Sequence, residues 1–231
     1  MASIIKLYER IELHNPALVA GVPGMGLVAN IVAAHLIRSL GAKKFGEVNS
    51  PFFQDIVLST PSGSIRPPTI GLFYYKSGGD SDLIILYGNT QASTSYGQYE
   101  LCGKILDMAQ EMGCRLIACS GGLERESITG TPTVYFTATD LETLDMLVQH
   151  GLRVVRGQIF GISGMLPGLA RIRGMKGFCI LAETIGLRTD VAAAKAALEK
   201  LNLVLGLNVE STGLEKTMEK VNRDFALMKS Q

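Results

Sequence analysis

The chain has no tryptophan, three histidines among 231 residues, and little charge: Asp, Glu, Lys and Arg together make 19% and the net charge is +1. That balance offers no field to collect nucleic acid or an anionic bilayer, so neither is an expected partner. The densest basic patch, Arg171, Arg173 and Lys176, reads as a solvated loop or an interface. His14, His35 and His150 are dispersed, with no acidic pair placed to assist them, so no metal centre is expected. Cys102, Cys114, Cys119 and Cys179 form no CxxC pair and read as small buried hydrophobes in a reducing compartment, which points to the cytoplasm. No apolar run approaches the ~18 residues of a membrane span. Met1-Ala2-Ser3-Ile4-Ile5-Lys6 lacks the basic stretch and long apolar run of a secretory leader.

What is present is apolar: 47% of residues, with 26 glycines. So much core and so little surface charge imply that some apolar surface is covered by a partner, most simply another copy of the chain. Residues 17–20 read as a buried strand, broken by Gly21-Val22-Pro23-Gly24-Met25-Gly26 and followed by an apolar helix over 27–40 that Gly41 ends. This is the opening half of a βαβ unit. Strand patterns recur at 45–48, 55–58, 70–75, 83–87, 116–119, 134–136 and 178–182, with a hairpin turn at Ser77-Gly78-Gly79-Asp80. Leu101, Ile105, Met108 and Met112 share one helical face, residues 141–148 form a short helix capped by Asp140, and two helices, about 190–206 and 212–229, close the chain. No linker or repeat divides it. The expected fold is therefore a single α/β domain over 1–231, with a mixed but largely parallel sheet flanked by helices.

The glycine loops invite tests for known chemistry. Gly21 and Gly26 have the spacing of a phosphate-binding P-loop, but Leu27 and Val28 stand where the lysine and hydroxyl belong. Gly24-Met25-Gly26-Leu27-Val28-Ala29 fits a permissive dinucleotide fingerprint, yet its acidic partner would be Glu47, which sits mid-strand. Gly161-Ile162-Ser163-Gly164 misses the nucleophile elbow by one position, and every histidine precedes Ser163, against the order of that hydrolase class. No catalytic set emerges and no cofactor is expected. A tight strand-to-helix turn explains the first loop without any ligand.

Backbone amides at Ser120-Gly121-Gly122 and a carboxylate at Glu183 each fall just past a buried strand, where open α/β sheets hold ligands. The candidate ligand-binding set is Gly24, Gly26, Ser120, Gly121, Gly122, Gly161, Ser163, Gly164 and Glu183.

Several segments, in order along nearly the whole chain, resemble the proteasome assembly chaperone 2 family. They are Gly21-Val22-Pro23-Gly24-Met25-Gly26-Leu27-Val28-Ala29-Asn30, Leu116-Ile117-Ala118-Cys119-Ser120-Gly121-Gly122 and Gly157-Gln158-Ile159-Phe160-Gly161-Ile162-Ser163-Gly164. Toward the end come Leu181-Ala182-Glu183-Thr184, Asp190-Val191-Ala192-Ala193-Ala194-Lys195 and Leu203-Val204-Leu205-Gly206-Leu207-Asn208-Val209. The resemblance implies a fold similar to purine nucleoside phosphorylases without a recognised catalytic set. It further implies an archaeal-type homo-oligomer and a role in assembling the proteasome α-ring, with α subunits as partners. Some archaeal relatives end in a hydrophobic residue, a tyrosine and one more residue, which docks into α-ring pockets; Met228-Lys229-Ser230-Gln231 departs from that pattern. Two readings stand: a non-enzymatic chaperone-like factor, needing an exposed apolar surface, or a nucleoside phosphorylase-like enzyme or nucleotide- and anion-binding protein. The second needs Ser120, Gly121, Gly164 and an arginine to meet around an anion.

Overall fold

The computed structural model describes residues 2–59 and 62–229. In chain order the elements are β1 (Ile4–Leu7), β2 (Ala17–Gly21), α1 (Val28–Leu40), β3 (Lys43–Asn49), β4 (Leu58–Ser59), β5 (Ile65–Arg66), β6 (Ile70–Tyr75), β7 (Leu83–Gly88) and α2 (Ser95–Glu111). They continue with β8 (Leu116–Glu124), β9 (Val134–Ala138), α3 (Leu141–Gln149), β10 (Arg153–Val154), α4 (Ile162–Ile172), β11 (Lys176–Thr184), α5 (Val191–Leu205) and α6 (Leu214–Lys229). Nine strands form one sheet in the order β1-β3-β6-β7-β2-β8-β11-β9-β10. Its centre, β7-β2-β8-β11, is parallel. Antiparallel pairings flank it, β1-β3-β6-β7 on one side and β11-β9 on the other.

The parallel centre is where the sequence is most continuously apolar. All five residues of β2 are buried, as are Leu83 to Leu86 of β7, because helices cover both faces. One core layer joins Val19, Phe136, Phe178 and Ile180 to α1, α5 and α6, with Leu147 of α3. The other joins Leu18, Phe45, Leu72, Cys119 and Cys179 to α2 and α4. Burying each such side chain contributes about 1.5–3 kcal/mol, so the two layers hold the sheet from both sides.

Helix ends follow the local chemistry. Thr94, Asp140 and Asp190 each accept a hydrogen bond from the backbone N–H three residues on, capping α2, α3 and α5. Gly41 and Gly206 end α1 and α5 in the left-handed conformation. The β6–β7 turn is held by Asp82, whose carboxylate accepts from Ser77 N (2.9 Å) and His14 N (2.8 Å).

Three expectations change. Residues 55–58 do not join the sheet. Only Leu58–Ser59 is extended, in a small hairpin with Ile65–Arg66, because exposed Ile56 and Val57 find no buried face to reward the strand pattern. Ser120-Gly121-Gly122 is not a turn. Pairing with β11 carries β8 through to Glu124, and Glu183 likewise lies within β11 rather than beyond it. Besides these changes, the segment after Gly161, to which the sequence pattern assigns no element, forms α4, whose glycines and Pro167 mask its helical period.

Two outcomes follow from this packing. A Cβ at Gly21 would stand 2.0 Å from Ala33 Cβ and 2.8 Å from Ala29 O, so Gly21→Ala pushes α1 off β2. A loss of about 2–3 kcal/mol is expected in urea unfolding. Burial raises all four thiols, Cys114 to about 11 and Cys102 and Cys179 to about 12. A thiol-specific disulfide reagent at pH 8 should therefore leave the native protein unmodified and titrate four thiols once it is unfolded in guanidinium.

Candidate functional site

The candidate residues lie around β8, the carboxyl ends of β2 and β11, and the start of α4, but they do not all meet. The chain leaves β2 at Gly21 and makes one 3-10 turn, Met25–Leu27, with Gly26 at φ +60° and Leu27 at φ +49°. Gly26 is packed against its neighbours: a Cβ there would lie 2.7 Å from Thr184 Oγ1 and 3.2 Å from Asp190 Cβ. Gly122 meets the same turn from below, since its Cβ would lie 2.5 Å from both Met25 O and Thr184 Cγ2. Thr184 Oγ1 donates to Asp190 Oδ2 (2.8 Å), and Asp190 N donates to Gly26 O (2.9 Å). The first glycine turn is thus held down on β8 and β11 by Thr184 and Asp190. Gly24 stands apart, exposed, with nothing within 4 Å of its would-be Cβ.

Ser120, Gly121 and Ser163 form a second contact. Ser163 Oγ donates to Ser120 O (2.9 Å), and a Cβ at Gly121 would lie 3.1 Å from Leu181 Cδ2. The Ser120 hydroxyl is buried with no hydrogen-bond partner among the described residues. Gly161, at φ +71°, and Gly164 allow α4 to approach its surroundings: their Cβ atoms would meet Gln91 Oε1 at 2.7 Å and Ile159 O at 2.3 Å. Gln91 is the hub here. Its Nε2 donates to Pro23 O, while its Oε1 accepts from Ile162 N (3.0 Å) and Gln98 Nε2 (3.1 Å).

Glu183 turns away from the serines and glycines. It accepts from Arg125 Nε (3.1 Å), Thr133 N (3.1 Å) and the Tyr135 hydroxyl (3.2 Å), and the Arg125 guanidinium lies 5.4 Å from the Tyr135 ring centroid. Partial burial pushes its pKa up, but these donors, Arg125 foremost, hold it below the ordinary carboxylate range. The arginine brought to this region therefore serves Glu183, clasping β8 and β9 to the end of β11. Sequence reasoning missed Gln91, Thr184 and Asn30. Asn30 carried a signal, a polar residue in an otherwise apolar helix. It is fully buried, and its Nδ2 donates to Gly88 O (2.7 Å) and Gly21 O (3.3 Å) where β7 and β2 end.

The fold and these strand ends define an α/β protein whose glycine turns are packed on one another by named side chains. The PAC2 family model matches residues 18–228, and the chain belongs to that family. The structure is similar to Pyrococcus furiosus PbaB, an archaeal proteasome activator, at 34% identity and a TM-score of 0.89 over 99% of both chains. It is also similar to P. furiosus PbaA, an archaeal homolog of proteasome-assembly chaperone, at 27% identity and a TM-score of 0.80 over 98% of this chain and 96% of that one. An uncharacterized protein of Methanocaldococcus jannaschii is 30% identical over 91% of this chain and 84% of its own. Among the described residues no helix is long and apolar enough to cross a membrane.

The clasp at Glu183 has a pH signature. A carboxylate with a depressed folded-state pKa stabilises the fold above its unfolded value of about 4.5 and loses that contribution as pH falls through the lower folded value. Glu183→Gln should cost about 1 kcal/mol at neutral pH and flatten the decline of stability below pH 4.5, read from urea midpoints across pH 2.5–7.

Proposed function

We propose that this protein is a non-enzymatic, homo-oligomeric, chaperone-like factor that acts in the cytoplasm on proteasome α subunits. The carrying observation is the surface at the carboxyl ends of the central strands. Met25 is 48% exposed, Ile185 48%, Leu187 85% and Phe160 81%, all on the loops that leave β2 and β11 or precede α4. Met25 and the 185–187 loop are neighbours, since a Cβ at Gly186 would lie 3.3 Å from Met25 Sδ. Apolar side chains displayed on loops held by a rigid sheet suit a protein partner more than a small substrate. Beneath them the glycines are closely packed, so their absent side chains make room for other parts of this chain. Kinship with an archaeal proteasome activator and with a homolog of a proteasome-assembly chaperone supports a proteasome-related role, within which the α subunits are the proposed partner. The departure at Met228-Lys229-Ser230-Gln231 concerns side chains outside the described residues. The loop surface is a route to α subunits that does not depend on it.

Leu187→Glu and Phe160→Glu, each on an exposed side chain, should leave the melting temperature unchanged. The double variant is expected to reduce capture of purified α subunits at least tenfold in a pull-down. Wild-type protein is expected to run as an oligomer in light scattering. Full capture by the double variant, or no capture by wild type alongside a nucleoside-induced rise in melting temperature, would overturn the proposal.

A further inference from the structure

Away from the strand ends, a cleft of about 970 Å³ opens over the β3-β6-β7 part of the sheet, between the β4–β5 hairpin and α6. Glu47, Gly71 and Tyr87 stand side by side across the three strands in register. Gly71 leaves the middle of the floor bare, and the Phe73 ring leans across it, 2.8 Å from where a Cβ would be. Phe73 and Tyr87 thus present aromatic surface in the cleft.

Several polar groups around this surface keep unspent capacity. The Tyr87 hydroxyl donates to Asp224 Oδ2 of α6 (3.2 Å), leaving Oδ1 uncommitted among the described residues. Burial, then the Asp224 charge, raises the Tyr87 pKa, so the phenol stays a donor. Asn89, which lines the cleft, uses its Oδ1 to accept from Thr69 N (3.3 Å), leaving its amide N–H groups uncommitted among the described residues. Glu47 is already engaged, accepting from Lys44 Nζ (3.2 Å), which also lines the cleft, and from Asn49 Nδ2 (3.4 Å). With the Tyr8 hydroxyl foremost, these donors hold it below the usual carboxylate range against burial, and a sugar hydroxyl would share its oxygens with them. Arg66, on β5, lines the cleft, and its guanidinium makes no ion pair or hydrogen bond among the described residues. An aromatic wall, two carboxylates and an amide fit the faces and hydroxyls of a sugar ring, and an unpaired guanidinium fits a phosphate.

We propose that this cleft binds a phosphorylated sugar, its ring against Phe73 and Tyr87, its hydroxyls on Asp224, Glu47 and Asn89, and its phosphate on Arg66. The site is separate from the apolar loops offered to α subunits, and its test requires no proteasome.

The probes are ribose 5-phosphate, ribose and inorganic phosphate, titrated into the full-length protein by calorimetry and by amide chemical-shift mapping. Ribose 5-phosphate is expected to bind saturably and more tightly than ribose or phosphate, with shifts on β5, β6, β7 and α6. Arg66→Gln, on an exposed hairpin residue that holds nothing else in place, should weaken ribose 5-phosphate by about tenfold and leave ribose unchanged. Glu47→Gln should weaken both sugars and spare phosphate. No binding of any probe, equal affinity for phosphate and ribose 5-phosphate, shifts confined to the glycine turns, or an Arg66→Gln variant that binds like wild type would each overturn the proposal.

Discussion

Everything at the carboxyl ends of the central strands depends on how closely backbones approach one another there. Gly21 lets α1 lie on β2, Gly122 lets the Met25–Leu27 turn lie on β8, and Gly26 lets Thr184 and Asp190 fasten that turn to β11 and α5. Any side chain at these places would occupy space already taken by backbone oxygen or a neighbour's carbon. Close-packed interiors answer such changes with strain rather than flow. The turn therefore cannot lift at one strand without disturbing the next.

That constraint also shapes what the surface can do. With the glycine turns packed down, the residues at their crests project outward. Met25 sits in the turn itself, and Ile185 and Leu187 flank Gly186 directly beside it. Polar clasps keep the platform rigid underneath: Asn30 joins the ends of β2 and β7, Gln91 ties Pro23 to the start of α4, and Glu183 joins β11 to β8 and β9. Loops carried on such a frame can present apolar side chains without folding them away, which is the requirement of a docking surface.

Much of the fold was legible because local chemistry and burial agreed. The apolar runs of β2, β7 and β11, the Asp140 and Asp190 caps, and the regular stripes of α5 and α6 each point to the element that forms. Less legible were places where glycine has more than one use. At Ser120-Gly121-Gly122 it permits close packing within a strand, whereas at Gly26, φ +60°, it permits a turn, and composition alone does not separate the two. Residues 55–58 misled for another reason: Ile56 and Val57 have strand propensity, but the sheet lends them no face.

The sequence by itself determined the α/β class, the buried parallel centre, the family kinship and the absence of a P-loop lysine behind Gly26, because these reside in residue identity and short-range periodicity. Tertiary structure decided what the candidate site residues do. At Glu183, the residues that engage the carboxylate, Arg125, Thr133 and Tyr135, lie far from it in the chain. Gln91 and Tyr87 had no local signal, since their partners lie on α4 and α6. Hydrogen-bond capacity is spent across the fold, and what remains to meet a partner or ligand is known only after that spending is complete.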